Sequence, residues 1–430
     1  MASTTYLQWQ HTTAGNRNTW TMSMWVKLSK LGDELPLFSS ASDAQNQDLA
    51  FIQADGTLRW RTYQSDAYAG QLKTNRVFRD VNAWYHLVFV FDSTNSTADD
   101  RMKIYVNGVQ ETSFNTRANP NQNLNSLWNG TLWRNIGHDS SGGYTDEFEG
   151  SMSHIHFIDG TAYQASTFGS TDSTTGEWKI NTSPSVTYGT KGFFILKDGN
   201  SVTDQSGNSN NFTVAGGTLT KTEDNPSNVF CTMNPLSAGS NVSFANGNTY
   251  VENTAGTWNS AVGTIGVGNG KYYWEAMRIS TAGECNLGVT LSSAYGGTHS
   301  EVDAGRVVYS NNGYVYREGL SGQGNTDTGT TFTGGDIIGV AIDTENGTLK
   351  FYKNGTLVNT TTDNSFLYTN NEYIPQCGIY NGGRLRFNFG NGYFADNAVS
   401  SAGTNASNNG IFEYDVPTGY TALSTKGLNL

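Results

Sequence analysis

Residues 84–110 read WYHLVFVFDSTNSTADDRMKIYVNGVQ, and the two halves of this stretch decide the fold. In the first half Trp84, His86, Val88 and Val90 alternate with Tyr85, Leu87, Phe89 and Phe91. Successive side chains of a strand point to opposite faces, and here both sets are largely apolar, so this strand is expected to be central and covered on both sides. In the second half Asn107-Gly108 separates two β-rich runs, and Asn-Gly favours the positive φ angles that a type I′ hairpin needs. KFYKNGTLV at 350–358 repeats KIYVNGVQ at 103–110 almost residue for residue. One hairpin device written twice predicts two sandwiches, each with its own strand, turn and strand.

The surrounding sequence agrees. TWTMSMWVKL from Thr19 alternates large apolar with small polar residues, LAFIQADGTLRWRTY places two strands around Asp55-Gly56, and FEGSMSHIHFIDG at 148–160 closes the first set. Order weakens after Phe168, and 169–225 reads as a connecting region with some strand content. GKYYWEAMRI, CNLGVTLS, GRVVYS, DIIGVAIDT and YIPQCGIYNGGRLRFNFG then give a second series of short strands between Gly, Asn and Ser turns. The segment from Ala398 is rich in Asn, Ser and Gly and is expected to lie over the second sandwich.

A chain of 430 residues exceeds one ordinary core. With 50 glycines, 12% aromatic and only 14% charged residues, and no helical window of about 12 residues, the expected class is all-β: two antiparallel β-sandwiches in series, 1–168 and 226–430. The formal net charge of -12 and the lack of a Lys/Arg run argue against nucleic acid. No apolar run of about 18 residues appears, and MASTTYLQWQ has no basic-then-apolar leader, so neither membrane insertion nor the usual secretion signal is expected. Three widely spaced cysteines, Cys231, Cys285 and Cys377, suit reduced thiols rather than a disulfide framework or zinc site.

These segments in this order carry a resemblance. SMWVKLS, the DGTLRW hairpin, WYHLVFVFD, RMKIYVNGV and FEGSMSHIHFIDG resemble the laminin-G or concanavalin A-like lectin fold. GKYYWEAMRI, NLGVTL, GDIIGVAIDTENGTLKFYKNGTLV and RFNFG resemble the SPRY domain, and both are jelly rolls. The pairing, with DQSGNSNNFTV and EDNPSNVFCTMNPL between, is similar to structural proteins of tailed bacteriophages, especially marine ones. That resemblance implies a non-enzymatic virion surface protein in a fibre, appendage or head decoration. Its partners would be other virion proteins, sister copies in a homo-oligomer, and a host-surface glycan or receptor. It would assemble in the host cytoplasm and leave by lysis. A decoration or cement protein without ligand is the alternative, and a polysaccharide depolymerase the third reading.

Catalytic chemistry finds little in the residues. A retaining glycosidase needs two carboxylates about 5–5.5 Å apart. Glu147 and Glu149 in TDEFEGS share a strand face, but the third acid and following spacing are missing. No Gly-x-Ser-x-Gly elbow occurs, and GVGNG at 266–270, lacking Lys-Ser/Thr and a helix, is a turn. His154 and His156 alternate onto one face without further ligands at metal spacing, and His86 reads as a packed strand residue. DSTNSTADD and DSSGGYTDE hold enough oxygens for calcium but lack the spacing of a calcium loop, so no cofactor is expected. Sugars are held by aromatic faces and short polar side chains, which nominates Tyr63, Tyr68, Trp128, Asp139 and Tyr144 in the first sandwich. Trp133, in an apolar run, is expected to pack. In the second sandwich GYVYREGLSGQGN nominates Tyr314, Tyr316 and Arg317 for a protein or peptide ligand.

Overall fold

The computed structural model describes residues 4–141, 147–197, 202–279, 281–294, 305–318, 324–362 and 371–430. The chain divides into two compact units, Met1–Lys221 and Thr222–Leu430. Among the described residues there is no α-helix, and the only helical turns are short 3-10 pieces.

In the first unit an eight-stranded sheet runs in the order Phe114–Ala118, Ala67–Val77, Thr57–Gln64, Asn46–Ile52, Leu35–Asp43, Trp133–Ile136, Tyr6–Gln10, Thr213–Ala215. A six-stranded sheet runs Phe193–Ile195, Gly150–Asp159, Thr19–Leu28, Trp84–Asp92, Met102–Val106, Val109–Gln110. Their facing side chains, among them Trp20, Phe38, Trp60, Phe89, Phe91 and Phe157, form one buried core together with Trp128 from the loop before Trp133–Ile136. The segment expected to link the domains behaves differently. Phe193–Ile195 and Thr213–Ala215 each complete an edge of a first-unit sheet, so the chain passes to the second unit only after Lys221. Three-residue strands such as these are too short to show an alternation, and their partners lie far away in sequence.

Trp84–Asp92 is central, as its double alternation predicts. Leu87, Phe89 and Phe91 enter the main core, while Val88 and Val90 lie on the other face in a second apolar cluster. That cluster is sealed by a strap, residues 160–190, whose Ala165, Phe168, Trp178 and Tyr188 pack down on the sheet.

In the second unit a seven-stranded sheet runs Met233–Ala238, Asn259–Gly263, Tyr373–Tyr380, Glu284–Leu291, Arg306–Ser310, Tyr314–Glu318, Thr326–Asp327. It faces an eight-stranded sheet centred on Lys271–Arg278 and Ile337–Asp343 across a core containing Trp274, Tyr309, Phe351, Tyr373 and Phe387. All three cysteines are buried, and burial pushes the thiols of Cys285 and Cys377 up to about 12, so these two are inert packing groups. The C-terminal segment does cover this sandwich. Phe412, Val416 and Tyr420 pack on Tyr273 and Ala341, and Thr421–Ala422 adds a parallel ladder to Tyr272 and Tyr273.

Both Asn-Gly turns have positive φ at each central residue, +47° and +82° at Asn107 and Gly108, +48° and +78° at Asn354 and Gly355. Each asparagine also clamps the neighbouring strand. Asn107 Oδ1 accepts from His86 N at 2.8 Å while Asn107 N donates to His86 O at 2.9 Å, and Asn354 makes the same pair with Ile337, both at 2.8 Å.

Candidate binding surface

The outer face of the first unit's eight-stranded sheet is built by three neighbouring strands. Register places Arg59 between Phe51 and Lys73, Arg61 between Leu49 and Gln71, and Tyr63 between Gln47 and Tyr68. Strand alternation turns Leu58, Trp60 and Thr62 inward, which leaves Arg59, Arg61 and Tyr63 facing out. The hairpin that joins two of the strands turns through Ser65 and Asp66, both left-handed at φ +53° and +62°, with Asn46 Oδ1 accepting from Ser65 N at 3.2 Å. A two-residue turn without glycine is costly, and it sets Tyr63 directly opposite Tyr68.

Tyr68 is 49% exposed, and its ring lies 4.9 Å from Tyr63 in an edge-on arrangement. The Arg59 guanidinium stands 5.2 Å from the Tyr68 centroid and donates through Nη2 to the Tyr68 hydroxyl at 2.8 Å. Its Nε donates to the buried Gln71 Oε1 at 3.1 Å. Arg61 donates to the buried Gln47 Oε1 at 2.7 Å, and both guanidinia border the Phe51 ring, at 6.0 and 5.5 Å. Cations, amides and an exposed aromatic face thus converge on one sheet, an arrangement suited to holding a polar ligand.

The other nominated residues are placed differently. Trp128 is a correction: it is fully buried, ringed by Phe38 and Phe157, and its backbone N donates to Asp48 Oδ2 at 2.9 Å. Trp133, expected to pack, is 46% exposed, because Ile136 points into the core and alternation then turns Arg134 in and Trp133 out. Buried Arg134 is held by Trp128 O at 2.6 Å and Asn129 Oδ1 at 2.7 Å, with the Trp9 ring 5.0 Å away. Asp139 is buried and its Oδ1 accepts from Ser141 N at 2.8 Å, shaping its own loop. Tyr144 lies outside the described residues.

In the second unit Tyr314 is 37% exposed and lies 6.1 Å from the Tyr316 ring, whose hydroxyl accepts from Asn312 Nδ2 at 2.7 Å. Arg317 is not with them. It alternates to the other face, opposite Val307, and its Nε donates to Gly324 O at 3.3 Å.

His86 and His156 are packing residues with hydrogen-bond partners of their own. His86 accepts from Trp178 Nε1 at its Nδ1 (3.0 Å), which leaves Nε2 to donate to Ser23 Oγ at 2.8 Å, and burial holds its pKa down at about 3. A bulge between Ser153 and His156, with His154 at φ +46°, interrupts the regular strand, yet both rings lie against Phe194, at 5.8 and 3.9 Å. His156 Nδ1 pairs with the Tyr188 hydroxyl at 2.8 Å, and burial keeps its pKa well below the usual value. No group of three or more metal-ligating side chains occurs among the described residues. The two acids that share the TDEFEGS stretch each have a basic side chain nearby, Glu147 the His138 ring at 3.6 Å and Glu149 the Lys30 ammonium at 3.3 Å. In Asp92–Asp100, Asp92 accepts from Thr94 N at 3.2 Å and Asp100 pairs with Lys103 at 2.9 Å, as ordinary turn acids do.

The fold and the surface together define a class: an all-β chain of two sandwiches in series, each strapped over one outer sheet face. Comparison with known proteins adds the domain types. Residues 2–166 match the concanavalin A-like lectin/glucanases superfamily, and residues 271–392 match the SPRY domain. The chain therefore carries an N-terminal concanavalin A-like domain and a C-terminal SPRY domain, both of which fit a ligand-binding or adhesion role. Among solved structures, the SPRY domain of human HERC1 is 21% identical, over 36% of this chain and 96% of that one, with a TM-score of 0.29. A heptameric SAP-like pentraxin from Limulus polyphemus is 18% identical, over 38% of this chain and 72% of that one, with a TM-score of 0.29. No curated protein matches the chain.

Proposed function

We propose that this chain is a non-enzymatic adhesion protein displayed on the surface of a tailed-phage virion, engaging host-surface glycan through its first unit. The observation that carries the reading is the exposed Tyr68 ring, with Tyr63 and Arg59 against it, on the outer face of a lectin-like sheet. Aromatic faces take the C–H surface of a sugar ring, and the flanking amides and guanidinia take its hydroxyls. The virion setting rests on the resemblance of the ordered segments to phage structural proteins. It brings with it assembly in the host cytoplasm, release by lysis, contacts with other virion proteins and a symmetric homo-oligomer, in which weak sugar contacts add up.

The test is binding of the purified full-length chain to host cells, to host envelope glycans and to particles stripped of this protein. The adhesion reading expects saturable binding to cells and glycans that Tyr68→Ala abolishes. Binding to stripped particles alone would make the chain a decoration protein, and release of reducing ends from the glycan would make it a depolymerase.

A further inference from the structure

The chain has a net charge of -12, yet one face of its first unit gathers cations that no run of sequence displays. Arg59 and Arg61 lie two residues apart on one strand, so their side chains leave the same face about 7 Å apart. Lys73 is directly across from Arg59. Lys73 is paired with Asp55 at 2.9 Å, but neither arginine has a carboxylate partner among the described residues. Their acceptors are neutral: Gln71 and Tyr68 for Arg59, Gln47 for Arg61. A guanidinium has five N–H donors. These contacts use Nε and Nη2 of Arg59 and Nη2 of Arg61, leaving both Nη1 groups without a protein acceptor, and Arg61 Nε is buried without one.

Neighbouring cations elsewhere on this sheet are treated otherwise. Arg76 is neutralised by Glu111 at 2.7 Å and Arg117 by Asp99 at 3.2 Å. Two charges held in place by buried amides and left without counter-ions are a preorganised receptor for an anion, because the cost of fixing the forks has been met on folding. The exposed Tyr68 ring beside them selects for an anion carried on a flat, C–H-rich body.

We infer that the Arg59–Arg61–Tyr68 face binds an acidic glycan, a saccharide bearing carboxylate or sulfate groups. Arg59 and Arg61 take the anionic groups and Tyr68 stacks on the adjoining ring. This rests on the glycan reading above and narrows it. Duplex nucleic acid suits the face poorly, since the cations span only two strands and the rest of the acidic chain repels a long polyanion.

The experiment uses the full-length chain against four probes in parallel: polygalacturonate, dextran sulfate, neutral dextran and a DNA duplex, at low and at raised salt. The expected result is binding to one or both acidic glycans, weakened at least tenfold by the double change Arg59→Gln and Arg61→Gln and at raised salt. Polygalacturonate and dextran sulfate distinguish uronate from sulfate. Arg59→Lys with Arg61→Lys, which keeps charge but loses the fork, should fall between. Thermal unfolding of each variant checks that the fold is retained, and if the Gln pair unfolds, the Lys pair and Tyr68→Ala decide. Equal binding of neutral dextran overturns the inference but leaves the glycan reading standing. Equal binding of DNA, or full acidic-glycan binding by the Gln pair, overturns it too. No binding to any saccharide overturns both.

Discussion

The two units solve one packing problem alike and then diverge underneath. In each, an Asn-Gly turn lies beneath an aromatic ring of the strap: a Cβ at Gly108 would enter the Trp178 ring, and one at Gly355 would come within 2.7 Å of the Tyr414 ring. Beneath the first strap are neutral imidazoles, with Trp178 donating to His86. Beneath the second is a buried carboxylate. Glu275 accepts from the backbone N of Glu413 and of Tyr414, both at 2.9 Å, and from the Tyr273 hydroxyl at 3.1 Å. Burial outweighs these donors and pushes the Glu275 pKa up to about 7. The same jelly-roll scaffold thus fastens its straps with groups of opposite acid–base sense, so the likeness lies in the turn and the difference in what the turn is closed against.

The largest test of the likeness is glycine replacement. Gly108→Ala should cost about 2–4 kcal/mol by chemical denaturation, since it adds left-handed strain to a clash with a ring that is pinned by its own hydrogen bond. Gly355→Ala should cost less, because the hold on the second strap is on the Tyr414 backbone and its ring is freer to move. Equal costs would break the distinction between side-chain and backbone fastening.

Trp178→Phe sharpens it further. The ring stays but His86 Nδ1 loses its donor, at about 1–3 kcal/mol, whereas Tyr414→Phe should be near neutral. A neutral Trp178→Phe would mean that stacking alone seats the first strap.

Acid should separate the units. His86 and His11 have folded pKa values of about 3 and His156 is also depressed, so the unfolded chain binds more protons below the ordinary histidine value of 6.5, and first-unit stability falls as pH drops below it. Asp48, raised to about 6 by burial, opposes this in part. Glu275 works the other way: its folded form holds the proton more tightly, so its contribution is present below pH 4.5 and is lost as pH rises to about 7. Hydrogen exchange on the full chain, corrected for intrinsic rates, should show residues 160–190 less protected at pH 5 than at pH 7 and the segment around 412–420 more protected. Glu275→Gln should remove only the second change.

The smallest effect is the clamp. Asn107→Ala and Asn354→Ala should each cost about 1 kcal/mol, the worth of one hydrogen bond to strand backbone, and unequal costs would show that the two turns are not equivalent.

Much of this comparison was legible in the sequence. KIYVNGVQ and KFYKNGTLV announce both turns because Asn-Gly determines local backbone geometry, and WYHLVFVFD announces a doubly covered strand because both faces are apolar. What the sequence concealed is non-local. Trp128 and Trp133 exchange their expected places because Arg134 points inward, and an arginine is buried only when distant groups, here Trp9 and Phe157 with nearby carbonyls, wrap it. The basic face was only half visible: Arg59 and Arg61 share a face by alternation within one strand, but Lys73 joins them only through strand register. Tyr63 and Tyr68 were legible as a pair, while Arg317 was grouped with Tyr314 and Tyr316 by proximity in sequence that alternation undoes.

We place the ligand-binding face on the outer side of the first unit's eight-stranded sheet. Arginine footprinting of the full-length chain with phenylglyoxal, read by mass spectrometry with and without an extract of host-surface glycan, probes that placement. Glycan should protect Arg59 and Arg61 and leave Arg317 unchanged. Protection confined to Arg317, or none at Arg59 and Arg61 in an extract that binds the protein, would contradict it.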